Sequence, residues 1–539
     1  MFSATEAAVE HGSQAAEHVA HAVEHASHAV EAVGALGQSQ LPMLILVPLL
    51  IGCALVPGLG LWRRRIAYPA TIVVLLAYLS FALTTLFKVM DEGRLRYTLA
   101  GWTPPIGIEL SVDMLSAFVV SVIAVIALLV AVYAGAAVRR ETPGKEVAFF
   151  GTMLVMLLGL SGMVLTGDLF NLYVFFEVSS LGGYALMAVG HKKAPVSAFR
   201  YLIMGTLGAS FYLMGVGYLY VITGSLNMID VASIITHHGA NPALHVSLIL
   251  MVVGLGLKMA LFPMHLWLPD AYTYASSTST AIIAPVMTKV SAYVMIRMLY
   301  FIYDSDLFLN TYPTGTIITW LAMIGVFVGS IMAIAQKDAK RMLAYSSVAQ
   351  VAYIGIGIGL GNPLALVGAM LHIMNHAAMK SCLFLVTGSV AVQTGAQQLK
   401  GYEGLGRKMP WTFAGFTLAA MAMIGIPPTN GFFSKWYLVL GAIDAGQWVL
   451  VGLILASSLL TAVYFFRVLE RIYAKEPAEG QGAGVHGALA SMDGDPPMAM
   501  RVPVLVLSVG LLVLGLFNAW FVSKVLAQAL PSGMSLPGM

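Results

Sequence analysis

The chain has 539 residues, 59% hydrophobic and only 10% charged, against roughly 25% charged residues in an ordinary soluble domain. That balance excludes a soluble enzyme or a nucleic-acid-binding module and points to an all-α polytopic membrane protein. The net charge of +3 matters less than its distribution. The two cysteines, Cys53 and Cys382, lie in apolar runs and offer neither a disulfide framework nor a thiolate set for zinc or iron–sulfur clusters.

Residues 1–40 repeat a seven-residue phrase, with Glu10-His11, Glu17-His18 and Glu24-His25 in register and Glu31 closing the series. On a helix the glutamates form one stripe, and His18, His21, His25 and His28 share a face. Such imidazoles suit Zn²⁺ or Ni²⁺, but a stripe implies no ligand geometry, and the segment is read as a solvated amphipathic extension. It lacks the basic segment and continuous apolar core of a cleavable signal peptide.

From Leu41 onward the chain contains apolar runs of about twenty residues, the length that a ~30 Å hydrocarbon core demands. They cover roughly 42–62, 67–88, 112–137, 147–166, 169–190, 200–223, 244–263, 275–302, 314–335, 343–361, 364–393, 411–440, 448–469 and 502–525, which predicts about 14 transmembrane helices. Basic residues should gather in alternate, cytoplasmic connections. They do so at Arg63 to Arg65; Arg139, Arg140 and Lys145; Lys192, Lys193 and Arg200; Lys337, Lys340 and Arg341; Lys400, Arg407 and Lys408; and Arg467, Arg471, Lys475 and Arg501. Lys88, Arg94, Arg96 and Lys524 fall outside them. Both termini are therefore expected on the periplasmic side, with residues 41–528 as the membrane domain and 529–539 as a tail. Between the second and third runs, Arg94 to Ser111 carries aromatic, β-branched and Pro-Pro-Ile-Gly character, which reads as an external hairpin or loop.

The charges left inside the runs are few: Lys258, Lys289, Lys380, Lys435 and Arg297, with Glu177 the one acid deep in a span and Asp113 and Asp168 at span starts. An ammonium near the bilayer centre costs at least ~2.5–3.5 kcal/mol on insertion scales and normally faces protein or a water-filled path. Lys289 has apolar sequence on both sides, which argues against snorkelling. Glu177 is an economical partner for Lys258, each neutralising the other; a permanent ion pair that merely ties helices together is the alternative. His372, His376 and Lys380 stand at i, i+4 and i+8, so a helix stacks them on one face. That face suits a proton relay, since imidazole passes protons between its two nitrogens. With no carboxylate or thiolate beside them, a metal site is not expected, and the competing reading is that the histidines simply hydrogen-bond neighbouring helices. Pro263, five residues after Lys258, should break its span. Pro427, Pro428 and Gly431 interrupt the later run that bears Lys435 in the same way. Paired interrupted segments mark internally repeated transporters. His265, within the first interruption, is a further relay candidate.

The segments FNLYVFFEVSSLGGYALM, KMALFPMHLWLPDAY, TKVSAYVMIRM, DAKRMLAYSSVAQVAYI and GIPPTNGFFSKWYLV resemble the D-type subunit of the multi-subunit, Mrp-type monovalent cation/proton antiporters, which is similar to the antiporter-like proton-pumping subunits of respiratory complex I and of membrane-bound hydrogenases. The resemblance implies two inverted five-helix repeats, about 147–302 and 314–469, with helices seven and twelve broken. It also implies that Glu177 and Lys258 form a regulatory ion pair, that Lys289 links two half-channels, and that Lys435 is the exit residue. Where one complex I paralogue has glutamate at that position, the lysine here argues against that paralogue. Two departures are Tyr274 to Thr280, YASSTST, in place of a proline-bearing stretch, and the histidine-rich extension.

The expectation is a proton-translocating subunit of a hetero-oligomeric antiporter in a bacterial plasma membrane, with protons and a monovalent cation (Na⁺ or K⁺) as substrates. It should have no redox site of its own, since there is no Gly-rich nucleotide loop after a strand, and no cofactor. The rivals are a proton-pumping subunit of an NADH-quinone oxidoreductase or hydrogenase relative, and a structural subunit that conducts nothing.

Overall fold

The computed structural model describes residues 39–238, 241–303, 305–476 and 494–537. The histidine- and glutamate-rich extension lies outside the described residues. In order, the helices longer than one turn are α1 (Leu41–Trp62), α2 (Arg64–Glu92), α3 (Met114–Glu141), α4 (Glu146–Leu165), α5 (Leu169–Met187), α6 (Ala194–Thr223), α7 (Met228–His238), α8 (Pro242–Met259), α9 (Trp267–Tyr274), α10 (Ser277–Phe301), α11 (Thr314–Ala335), α12 (Ala339–Leu360), α13 (Pro363–Thr394), α14 (Pro410–Ile424), α15 (Asn430–Asp444), α16 (Trp448–Tyr473) and α17 (Met498–Leu516). Thirteen of them are long and apolar enough to cross a membrane. The predicted run 411–440 is instead divided between α14 and α15, each too short to cross alone.

The polar residues that punctuate the apolar runs start the helices. Asp113, Asp168, Asn241, Ser276, Asp338 and Asn362 each accept a hydrogen bond from a first-turn backbone N–H of α3, α5, α8, α10, α12 and α13, which satisfies a donor that no intrahelical carbonyl reaches. The segment after α2 forms an antiparallel hairpin, β1 (Leu95–Thr98) with β2 (Glu109–Val112), as its composition predicts.

Both interruptions are present. Proline at 263 has no N–H to donate and its ring crowds the carbonyl four residues back, which is that of Met259, where α8 stops. Ala260 then takes a left-handed conformation (φ 62°), with its N–H on Leu257 O and the Leu261 N–H on Gly256 O, a Schellman-type end. Gly425 (φ 91°) closes α14 similarly.

The helices are not equivalent. α1, α16 and α17 turn rows of leucine, valine and phenylalanine outward, as a surface facing lipid requires. Every residue of α10 from Ser277 to Tyr300 is buried. It packs against α3, α8 and α13, and α13 in turn against α12, α14, α15 and α17. The chain's first described residue lies beside the hairpin, through Ser39 N–H on Arg96 O at 2.9 Å. Ser532 lines a cavity of about 420 Å³ together with Arg94 and Arg297, so both described ends lie on the hairpin side of the bundle.

Candidate functional site

The ionisable residues singled out in the spans are buried inside the bundle, with Glu177 at its edge. Lys258, in the last turn of α8, points its ammonium at α5. Its Nζ donates to Ser180 Oγ at 2.5 Å and lies 3.5 Å from Tyr184 Oη. Three rings surround it, those of Phe176, Tyr184 and Tyr201, with centroids 4.9, 5.1 and 5.0 Å away. Such faces attract a cation electrostatically. The expected contact with Glu177 is not formed: among the described residues no ion pair joins them, and Glu177 Oε1 has no hydrogen-bond partner. The reason is helical geometry. Ser180 and Tyr184 are three and seven residues beyond Glu177, on the neighbouring turns of the same helix, and their hydroxyls meet the ammonium instead. Glu177 still attracts Lys258 electrostatically, without touching it.

Lys289, midway along α10, folds back on its own helix, donating to Ala284 O at 2.7 Å and Thr288 Oγ1 at 3.2 Å. His372, His376 and Lys380 on α13 all lie within its electrostatic reach. The predicted face of α13 is therefore formed; its contacts run to α12 and α15, with Lys289 of α10 in electrostatic reach. The imidazoles of His372 and His376 stack with centroids 5.8 Å apart. His372 Nδ1 meets Ser434 Oγ at 2.9 Å, and Lys380 Nζ donates to Leu343 O at 2.7 Å and Ser346 Oγ at 2.5 Å. Asn375, on the same helix, is engaged directly: its Nδ2 donates to Asn430 O, and Asn430 Nδ2 donates back to its Oδ1. This locks the start of α15 onto α13.

Lys435 spans the second interruption. Its Nζ donates to Met423 O and Ile424 O at 3.1 and 3.0 Å, and to Ser458 Oγ at 3.2 Å, above the Tyr353 ring at 4.9 Å. The carbonyl end of a helix carries partial negative charge, so α14 supplies in backbone dipole what no carboxylate supplies here. His372 lies within electrostatic reach of Lys435. His265 is buried beside Phe262, its Nδ1 without a partner, and among the described residues no hydrogen bond or ring contact joins it to the other candidates.

The structure thus buries Lys289, His376, Lys380, His372 and Lys435 within successive electrostatic reach of one another, and Lys258 with Glu177 forms a separate group. Among the described residues none of Lys289, Lys380 and Lys435 has a carboxylate within 4.0 Å. Lysine and histidine can each release and rebind a proton, so the row has the groups that a proton relay needs.

Sequence reasoning missed the ring cage of Lys258 and the role of Ser434, although Ser180 and Tyr184 lie at helical spacing from Glu177. It also left Arg297 and Asp113 unpaired, yet they form a two-pronged bridge of 2.6 and 2.7 Å, joined by Arg94 at 3.6 Å. Burial pushes the Asp113 carboxyl up, but the Arg297 guanidinium, with Arg94 and the Ser116 N–H, more than reverses this and holds it well below the usual carboxylate range.

Residues 166–461 match the family described as NADH:quinone oxidoreductase/Mrp antiporter, TM. The chain is 46% identical over 502 residues to NADH-quinone oxidoreductase subunit N of Desulforudis audaxviator, covering 92% of this chain and 99% of that protein. It is 32% identical over 435 residues to the D-type subunit of the Na(+)/H(+) antiporter of Alkalihalophilus pseudofirmus, covering 80% and 85%. Its fold is similar to a chain of the membrane-bound sulfane sulfur reductase, an archaeal respiratory membrane complex, with a TM-score of 0.82, 31% identity and coverage of 91% and 97%.

Proposed function

The chain belongs to the NADH:quinone oxidoreductase/Mrp antiporter transmembrane family, and from that premise we propose that it is the proton-translocating subunit of a multi-subunit monovalent cation/proton antiporter in a bacterial plasma membrane. The observation that carries this reading is the row of Lys289, His376, Lys380, His372 and Lys435. Three amines and two imidazoles are buried together there, with no acid among the described residues within 4.0 Å of an amine. Ion pairs that serve only as glue need both signs; a row of one sign suits groups that exchange protons. Protons move from the Lys258 and Glu177 region to Lys289, across the α13 face, and out past Lys435 at the second helix break. Two inverted repeats, residues 147–302 and 314–469, each contribute one interrupted span to this path. Both termini lie on the periplasmic side, and the subunit has no redox site of its own.

The 46% identity to a subunit N favours a second reading, in which the same proton path serves a quinone-reducing complex whose electron chemistry lies on other subunits. One experiment separates the two. The tagged protein is purified with its partners from native membranes, the partners are identified, and the complex is reconstituted into vesicles carrying a pH dye. Proton flux driven by a Na⁺ or K⁺ gradient without an electron donor supports the antiporter. Flux that requires NADH and quinone supports the second reading. Absence of proton movement under either drive would leave a structural subunit.

A further inference from the structure

Two contacts fix how α12 and α13 lie against each other. Towards one end the rings of Tyr353 and His372 are 5.7 Å apart; towards the other Lys380 Nζ donates to Ser346 Oγ and Leu343 O. Numbers rise along α12 from 346 to 353 while they fall along α13 from 380 to 372, so the helices run antiparallel. Ser346, Gln350 and Tyr353, spaced four and three, share a face of α12, as Lys380, His376 and His372 share a face of α13. The middle members, Gln350 and His376, are then level with each other.

Both side chains are fully buried. Gln350 Nε2 and Oε1 and His376 Nδ1 and Nε2 all lack a hydrogen-bond partner among the described residues. Four unpaired polar atoms at one level of a packed interior form a cluster of the kind that buried water satisfies. We propose that Gln350 and His376 together hold water inside the bundle, and that Gln350 is a positioning residue that orients this water between Lys380 and the two histidines. The proposal rests on the proton-translocating reading above. The chemistry of the site selects water over a cation, because Lys289 and Lys380 both act on His376 and a further positive charge would be repelled. The amide accepts from water at Oε1 and donates to it at Nε2, while the imidazole donates from one nitrogen and accepts at the other. In a relay step the Lys380 ammonium passes a proton to the water as the water passes one of its own to a His376 nitrogen. One N–H breaks, one N–H forms, and the water is regenerated. Gln350 does not titrate, so it aims the water without trapping the proton.

The test uses the complete complex in vesicles. Gln350→Met keeps the volume and removes both amide atoms; Gln350→Ser restores a hydroxyl and leaves room for a second water. The driving force is whichever of cation gradient or electron donor the wild-type complex uses. Gln350→Met should slow proton flux by ~10-fold or more, as misplacement of a reacting group does, and Gln350→Ser should be several-fold faster than Gln350→Met at equal assembly. A map of the wild-type complex that resolves buried waters should show one between Gln350 and His376. Wild-type flux in Gln350→Met while Lys289→Arg is inactive would overturn the role of Gln350 and leave the proton path standing. Wild-type flux in both would remove the path as well. A map with ordered water elsewhere and none at this level would overturn the site even if Gln350→Met does not assemble.

Discussion

Lys435→Met keeps most of the side-chain volume at the second helix break and removes its charge and its donors. Two carbonyls, Met423 O and Ile424 O, then lose the ammonium that meets them at 3.1 and 3.0 Å. A buried acceptor left without a partner costs ~1–3 kcal/mol, so two cost ~2–6 kcal/mol. Ser458 is spared, because its hydroxyl also donates to Ile454 O at 3.3 Å. Lys435→Arg keeps donors and charge at an overpacking cost of ~1–3 kcal/mol, but its guanidinium does not give up a proton. The expected pattern is a split. Thermal unfolding of the purified complex should show Lys435→Met as the less stable of the two, and proton flux in vesicles should be lost in both. Wild-type flux in Lys435→Arg would refute the reasoning, because the lysine would then act as a fixed charge. Unchanged stability in Lys435→Met would show that the carbonyls of α14 need no cap.

The same logic applies at the bundle centre, where Lys289→Arg should assemble yet fail in pH-gradient-driven exchange; activity close to wild type would mean that Lys289 never releases its proton. Asp113→Asn leaves the Arg297 guanidinium without its counter-charge and should destabilise the complex by ~3–5 kcal/mol, measured by unfolding against wild type. Because the folded carboxyl of Asp113 is held below its unfolded value of ~3.9, its contribution is complete above about pH 4 and fades as pH falls below that. The acid-induced loss of stability between about pH 4 and 2 should therefore be smaller in Asp113→Asn than in wild type. Tags placed at the amino terminus and after Gln528 should both be reached from the periplasmic side of intact cells, and cytoplasmic labelling of either would refute the topology drawn from the basic connections.

What the sequence conveyed well is what a local pattern can encode. Hydropathy located the spans, Pro263 and Pro427–Pro428 located the breaks, and i, i+4, i+8 spacing placed His372, His376 and Lys380 on one face. What it conveyed poorly is how each helix is rotated against a neighbour distant in sequence. Arg297 and Asp113 are 184 residues apart, and nothing local ties them together. Lys258 meets Ser180 and Tyr184 and not Glu177, a difference of one to two turns of α5 that no periodicity resolves. The level shared by Gln350 and His376 emerges only once the antiparallel register of α12 and α13 is known. A buried glutamine in an apolar run otherwise reads as an ordinary polar residue of a membrane helix.

A helix sheathed by protein along its whole length, as α10 is, obeys different mechanics from those around it. α16, with Leu455, Leu459, Val463 and Phe466 turned outward, shears along that side against a fluid; α10 shears against solid on every side. Close-packed interiors switch between discrete arrangements and resist continuous deformation, so turning or sliding α10 would require several neighbours to unlock at once. Lys289 rides on this fixed shaft, tethered to Ala284 and Thr288 of the same helix. The freedom left at that point is torsional: four rotatable side-chain bonds on an immobile backbone. Distances measured between a label on α10 and labels on α3 and α13, which pack against it, should stay constant through the working cycle, whatever the peripheral helices do.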